Sequence, residues 1–234
     1  MFMLPRARLP LAAFLLMSLV GLAGAGAIWM SAGRNEALRF AAVADEATGR
    51  LVERANHNLL LIDATAAIIE ARGDSLTGRE FAIYFDKLRL DAGTNQPGIA
   101  GLGYAPLLPP ALAPALDRQL LAEYGPGVAI WPAPVGDEPI VPVAIMGSTN
   151  SPTRPALGHD MFSDPIRRTA IEWAIAARGP RATEPLTLAT DKEPAPGFIV
   201  YAPVYAAGDA APGRRIAPNA PVGFAFGGFR TGQL

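Results

Sequence analysis

The chain has 234 residues, 20 of them basic and 21 acidic, and it has no cysteine. The near-zero balance argues against an electrostatic stripe for nucleic acid and gives no support to binding at an anionic surface. Lack of cysteine excludes a thiol enzyme, a disulfide scaffold, a Cys-ligated metal and a lipid-anchored lipoprotein, while the 24 Gly and 23 Pro stay below the level of a disordered or collagenous chain.

The first predicted element is an uncharged run from Leu9 to Gly33, with Arg6 and Arg8 just before it. About 25 residues at roughly 1.5 Å each cover the roughly 30 Å of a bilayer core. This predicts a transmembrane helix over residues 9–33 in a cell inner membrane. Residues 1–8 stay in the cytoplasm because of the leading arginines, and everything from Arg34 onward is delivered outside. A cleaved signal peptide is the competing reading, since Ala23 to Ala27 are small. The length of the run and its continuation through Ile28, Trp29 and Met30 favour a retained anchor. Gly21 and Ala25, four apart, would let two such helices approach closely.

Residues 34–73 follow as a stalk. The stretch Asn35 to Arg72 has no proline and is rich in Ala, Leu, Glu and Arg, all good helix formers. Thr48, Val52, Ala55, Leu59, Ile62, Ala66 and Ile69 step by four and three, a coiled-coil seam, although an amphipathic helix lying on its own domain gives the same pattern. Gly73 to Ser75 ends it, and Ser75 or Thr77 caps a helix over Thr77 to Leu90 with Phe81, Tyr84, Phe85 and Leu88 on one side.

Further on, Asp91 to Pro97 is a turn, Ile99 to Ala105 a strand, and Ala111 to Tyr124 a helix with Pro114 in its first turn. Val128 to Trp131 and Ile140 to Met146 are strand-like, and Gly147 to Pro155 is a loop. Asp164 with Pro165 opens a helix that runs to Arg178 and stops at Gly179. Glu184 to Leu188, Gly197 to Tyr205 and Val222 to Phe229 read as strands, separated by the Pro/Gly-rich loops 191–196 and 208–221. The fold class is α+β: a domain over 74–234 in two lobes, about 74–150 and 151–234, each with antiparallel strands.

The residues offer little for catalysis. His57 lies on the long helix with no second ligand at i+4, and His159 beside Asp160 falls short of the three or four ligands zinc needs. No nucleophile elbow, phosphate loop or zinc-protease motif is present. Asp164-Pro165-Ile166-Arg167-Arg168 reads as a helix cap with local ion pairs, ahead of an anion clamp. Tyr104, Tyr201 and Tyr205, on or beside strands, read as core. Asp137 and Glu138 are either a solvated turn or acceptors at a pocket mouth.

Five segments in order resemble the CHASE family, extracytoplasmic sensory domains joined to signalling enzymes. They are Gly98 to Pro106 (GIAGLGYAP), Ala156 to Ala170 (ALGHDMFSDPIRRTA), Ala174 to Leu188, Phe198 to Tyr205 with Ala202-Pro203-Val204-Tyr205, and Gly223 to Arg230. The resemblance implies a stalk helix, two PAS-like lobes and a small ligand in the membrane-distal lobe. It also implies a second membrane helix and a histidine kinase or diguanylate cyclase output beyond this chain. In plant members an acidic residue before a strand contacts an adenine-type ligand, and Asp137 or Glu138 matches that position. With Tyr104 of the first block these form the candidate ligand-contacting set, without carrying over the ligand's identity.

The expected function is therefore small-ligand sensing by the input part of a two-component or cyclase receptor. The chain itself is not an enzyme, needs no cofactor or metal, and forms a homodimer through the stalk and membrane helix. An anchored or secreted periplasmic hydrolase and a passive envelope interaction protein are the alternatives.

Overall fold

The uncharged leader and the helix-forming stretch after it are one element. Helix α1 runs unbroken from Arg8 to Arg72, 65 residues, in the computed structural model of the chain. The structure describes residues 8–91, 99–148, 156–188, 196–205 and 219–230, with positions 8–13, 25–44, 47, 51, 74 and 89–91 given by backbone alone. Among the described residues no helix is long and apolar enough to cross a membrane. The anchor expected at 9–33 falls in large part on positions 9–13 and 25–33, outside the described side chains; between them Phe14, Leu16, Leu19 and Leu22 are exposed. The loops expected at 91–97, 147–155, 191–196 and 208–221 also lie largely outside the described residues.

The chain divides into two units, Met1–Glu53 and Arg54–Leu234. The described part of the first is helix alone. In the second, the last turns of α1 carry Ile62, Thr65 and Ile69 inward at i, i+3 and i+7, all buried, with Leu61 beside them. The expected heptad seam thus splits: its C-terminal members pack into their own domain, whereas Thr48, Val52 and Ala55 are exposed. Thr65 satisfies its hydroxyl on the Leu61 carbonyl at 2.7 Å and lies 3.3 Å from the Tyr84 hydroxyl.

Helix α2 (Gly78–Asp91) starts on a capping box. The Thr77 hydroxyl accepts from the Glu80 N–H at 3.2 Å, and the Glu80 carboxylate accepts from the Thr77 N–H at 3.0 Å. Two otherwise orphaned donors are satisfied reciprocally. Strand β1 (Ile99–Pro106) follows, then a 3-10 turn at 110–112 and α3 (Ala113–Tyr124), which ends where Gly125 takes φ +80°. Next come β2 (Ile145–Ser148), α4 (Pro165–Ala177), the short β3 (Arg181–Ala182) and β4 (Leu186–Thr187), β5 (Pro196–Val204) and β6 (Gly223–Arg230).

All described strands pair antiparallel in a single sheet ordered β2-β1-β6-β5-β3, with β4 also on β5. Strands of both expected lobes therefore share one sheet, and its centre is the long-range pair β1–β6 with Tyr104 opposite Ala225. Alternation along the strands assigns the two faces. Gly147, opposite Leu102, meets Phe85 of α2: a Cβ there would fall 2.5 Å from the ring, so glycine is what lets the helix approach. Gly103, Phe226 and Tyr201 point the other way, toward Met161 and the α4 side.

Two strand expectations need correcting. Val128 to Trp131 joins no ladder and makes only a single bridge, Trp131 to His159. Of Ile140 to Met146 only Ile145 and Met146 are strand, because Pro142 has no N–H to give and the neighbouring groups are taken by another partner. Val141 donates to the Asp160 carboxylate at 2.8 Å and Val143 to the His159 carbonyl at 3.0 Å. Ile140 to Ile145 are buried, as the apolar run requires, but Val141 and Val143 are stitched to a loop, and the segment reaches β1 only from Ala144 onward, whose N–H donates to the Tyr104 carbonyl at 3.0 Å.

Candidate functional site

The loop that displaces the expected strand also builds the site. Gly158 sits at φ +77°, where a Cβ would collide with the Ala129 carbonyl. Its N–H donates to the Val143 carbonyl at 2.9 Å and its carbonyl accepts from Trp131 N–H at 2.9 Å. Asp160, buried, accepts from Val141 and Phe162 N–H at 2.8 and 3.0 Å. The backbone on either side of His159 is thus fixed, and its ring lies 4.2 Å from the Trp131 ring, centroid to centroid.

Asp164 caps α4 by accepting from Ile166 and Arg167 N–H at 2.9 and 3.3 Å, with Pro165 at the first helical position. The cap expectation holds. The two arginines after it point in opposite directions. Arg168 turns outward: it donates to the Phe162 carbonyl at 2.9 Å, pairs with Glu138 at 2.9 Å and lies over the Phe162 ring. Arg167 turns inward and is only 6% exposed. Its Nη1 donates to His159 Nδ1 at 2.7 Å and approaches Met161 Sδ at 3.6 Å. Its Nε is buried with no hydrogen-bond partner, and the nearest carboxylate oxygen, Asp164 Oδ2, is 3.7 Å from it.

Arg167 and His159 line a cavity of about 30 Å³ on the α4 side of the sheet, with Gly101, Met146, Met161, Ile199, Phe226 and Gly228 among its walls. Guanidinium only donates, so His159 Nδ1 must accept and the imidazole is the neutral Nε2–H tautomer. Burial, reinforced by the Arg167 charge, pushes the His159 pKa down to about 4. Tyr201 is fully buried with its hydroxyl 3.2 Å from Met161 Sδ, and burial pushes its pKa above the ordinary tyrosine value.

A second cavity, of about 260 Å³, is lined by Ile69, Leu76, Tyr104, Leu108, Leu116 and Gln119 among others. The three residues expected to contact ligand are not brought together. Tyr104 is buried at this second cavity and donates to the Val222 carbonyl at 3.3 Å. Asp137 and Glu138 are exposed, line neither cavity, and Glu138 is engaged by Arg168. His57, read as a surface or interface residue, is half-buried with its Nε2 unpartnered. Among the described residues no three His, Cys, Asp or Glu side chains group to hold a metal.

Arg167 was missed as a site residue, yet a signal existed. Arg167, Ala170, Ile171 and Ala174 fall at i, i+3, i+4 and i+7, so the arginine occupies the apolar stripe of its helix, and all four are buried.

The site has one buried fixed cation, no grouped metal ligands among the described residues, and apolar walls on an antiparallel sheet. The CHASE domain family model matches residues 74–234, well over half of the chain, and the chain belongs to that family. A CHASE domain is an extracytoplasmic sensory module of signalling receptors and is not catalytic. A comparison with curated proteins found no match.

Proposed function

We propose that this chain is the ligand-sensing input of a membrane-bound signalling receptor, and that the small cavity at Arg167 and His159 is where the signal molecule binds. One observation carries this: a guanidinium only 6% exposed lines, together with His159, a cavity whose other walls are mainly apolar. Residues 9–33 would anchor the chain with its sensory part outside, and the exposed Thr48, Val52 and Ala55 stripe of α1 would pair with a second copy. The output would be a histidine kinase or a diguanylate cyclase.

A route from cavity to helix supports the reading. β5 supplies Ile199 to the cavity wall, and just beyond its end the Tyr205 N–H donates to Glu70 of α1 at 3.1 Å. A ligand that prefers one position of β5 over another shifts α1 by that difference in affinity and by no more. The test has two arms. A metabolite library screened by thermal shift on the full chain should give saturable stabilisation, abolished by filling the cavity with Ala156→Leu. Reporter fusions after residue 40 should be active only outside the cytoplasm. Cytosolic reporter activity, or a library without a single hit, refutes the proposal.

A further inference from the structure

We propose that the Arg167 cavity is a carboxylate site: it takes a C1–C2 monocarboxylate whose anionic group lies on the guanidinium and whose carbon end lies against Met146, Ile199 and Phe226. This rests on the sensory reading of the cavity given above. Arg167 is 6% exposed, lines the cavity, and holds a buried Nε–H that no acceptor meets. Arginine cannot shed its proton, so the guanidinium that lines the cavity stays charged and favours an anion there.

The near carboxylate does not fill that role. Asp164 Oδ2 stands at 3.7 Å, outside hydrogen-bond range, and its Oδ1 is committed to the helix cap. No carboxylate lines the cavity, and His159 is held neutral as an acceptor of Arg167, with its own Nε2–H as a further donor. The guanidinium thus lines a mostly apolar cavity with His159 on one nitrogen and Asp164 at 3.7 Å from another, and a bidentate carboxylate matches its fork.

Size and lining narrow the class. A void of about 30 Å³ holds roughly two waters, at about 10–15 Å³ each, so the occupant has only a few heavy atoms. Sulfate or phosphate would press oxygens against Val143, Ile199 and Phe226, where no donor meets them. Formate or acetate leaves only carbon or hydrogen on that side.

The experiment titrates the full chain in detergent with acetate, acetamide, methylammonium and inorganic phosphate. Trp131, against the His159 ring, gives the fluorescence readout, with Trp131→Phe as its control. Acetate should give a saturable change that acetamide and methylammonium do not, with phosphate weaker. Arg167→Met should bind acetate about tenfold to a hundredfold more weakly while its circular dichroism is unchanged, because a charge-assisted hydrogen bond is lost. Should that variant fail to fold, Arg167→Lys keeps the charge without the fork and should still weaken acetate several-fold. Acetamide binding as tightly as acetate, or Arg167→Met binding acetate like the parent, overturns the carboxylate inference and leaves the cavity as a sensory site for neutral ligands. Silence with all four probes overturns the inference too; silence across the metabolite library removes the sensory reading with it.

Discussion

Between about pH 6.5 and pH 4, His159 should make this domain less stable as pH falls, and replacing it by glutamine should remove that contribution. Burial and the Arg167 charge take the His159 pKa from its ordinary 6.5 to about 4. Between those values the unfolded chain binds a proton on this ring and the folded one does not. Stability therefore rises with pH across this window, is fully present above about 6.5, and is lost as pH falls toward about 4. At about 1.36 kcal/mol per pH unit the full difference is about 3.4 kcal/mol; the ring is partly open to solvent, and screening reduces this to about 2 kcal/mol. His159→Gln keeps a side-chain acceptor for Arg167 Nη1 and removes the titration. Urea midpoints of both proteins are measured from about pH 7 to about pH 4 and converted with a common m-value. The parent should lose about 2 kcal/mol more than the variant across that range. Parallel pH profiles would show that the ring is not held neutral by its surroundings, and the reasoning fails there.

Further outcomes follow from the same geometry. Thr77→Ala removes one half of the α2 capping box and should cost about 1 kcal/mol in urea titration. Glu80, whose carboxyl the Thr77 N–H holds below its ordinary value, should add stability above that ordinary value and lose it as pH falls through the lower, folded one, a dependence that Glu80→Gln abolishes. Gly147→Ala should cost about 1–3 kcal/mol by overpacking Phe85, and Phe85→Leu in the same chain should recover part of it. Arg167→Met should unfold within about 2 kcal/mol of the parent, because relief of a buried charge, about 1–4 kcal/mol, offsets the His159 acceptor it strands, about 1–3 kcal/mol. A loss beyond that would make the arginine a structural pillar.

What local chemistry decides was legible. Asp164-Pro165 announced the start of α4, Thr77 with Glu80 three residues on fits a capping box, and apolar runs near 99, 197 and 222 marked the three long strands. Pairing was not legible. β1 and β6 meet across more than a hundred residues, and nothing local distinguishes one sheet from two. The run 140–146 showed the burial of a strand but not its partners, since Val141 and Val143 donate to Asp160 and His159 of a loop while Ala144 donates to Tyr104 of β1. Nor did the sequence reveal which of two adjacent arginines turns inward. That depends on the stripe Ala170, Ile171 and Ala174, and the cap dominated the view.

The inward arginine is also the residue whose presence most needs a reason. An apolar side chain at that position would join a stripe already made of Ala170, Ile171 and Ala174 and would leave no charge to desolvate. What surrounds Arg167 is instead a small polar island: His159 kept neutral, Met161 Sδ shared with the Tyr201 hydroxyl, and Asp164 too far to bond to Nε. Each member depends on the next, because His159 is placed by the positive-φ Gly158 turn and Tyr201 lies on the strand that carries the cavity wall. A fold selected for stability alone has no use for that arrangement. A sensor of the proposed kind would, because an anion bound there would supply a partner, and the stability gained on binding would be the free energy available to move β5 against α1.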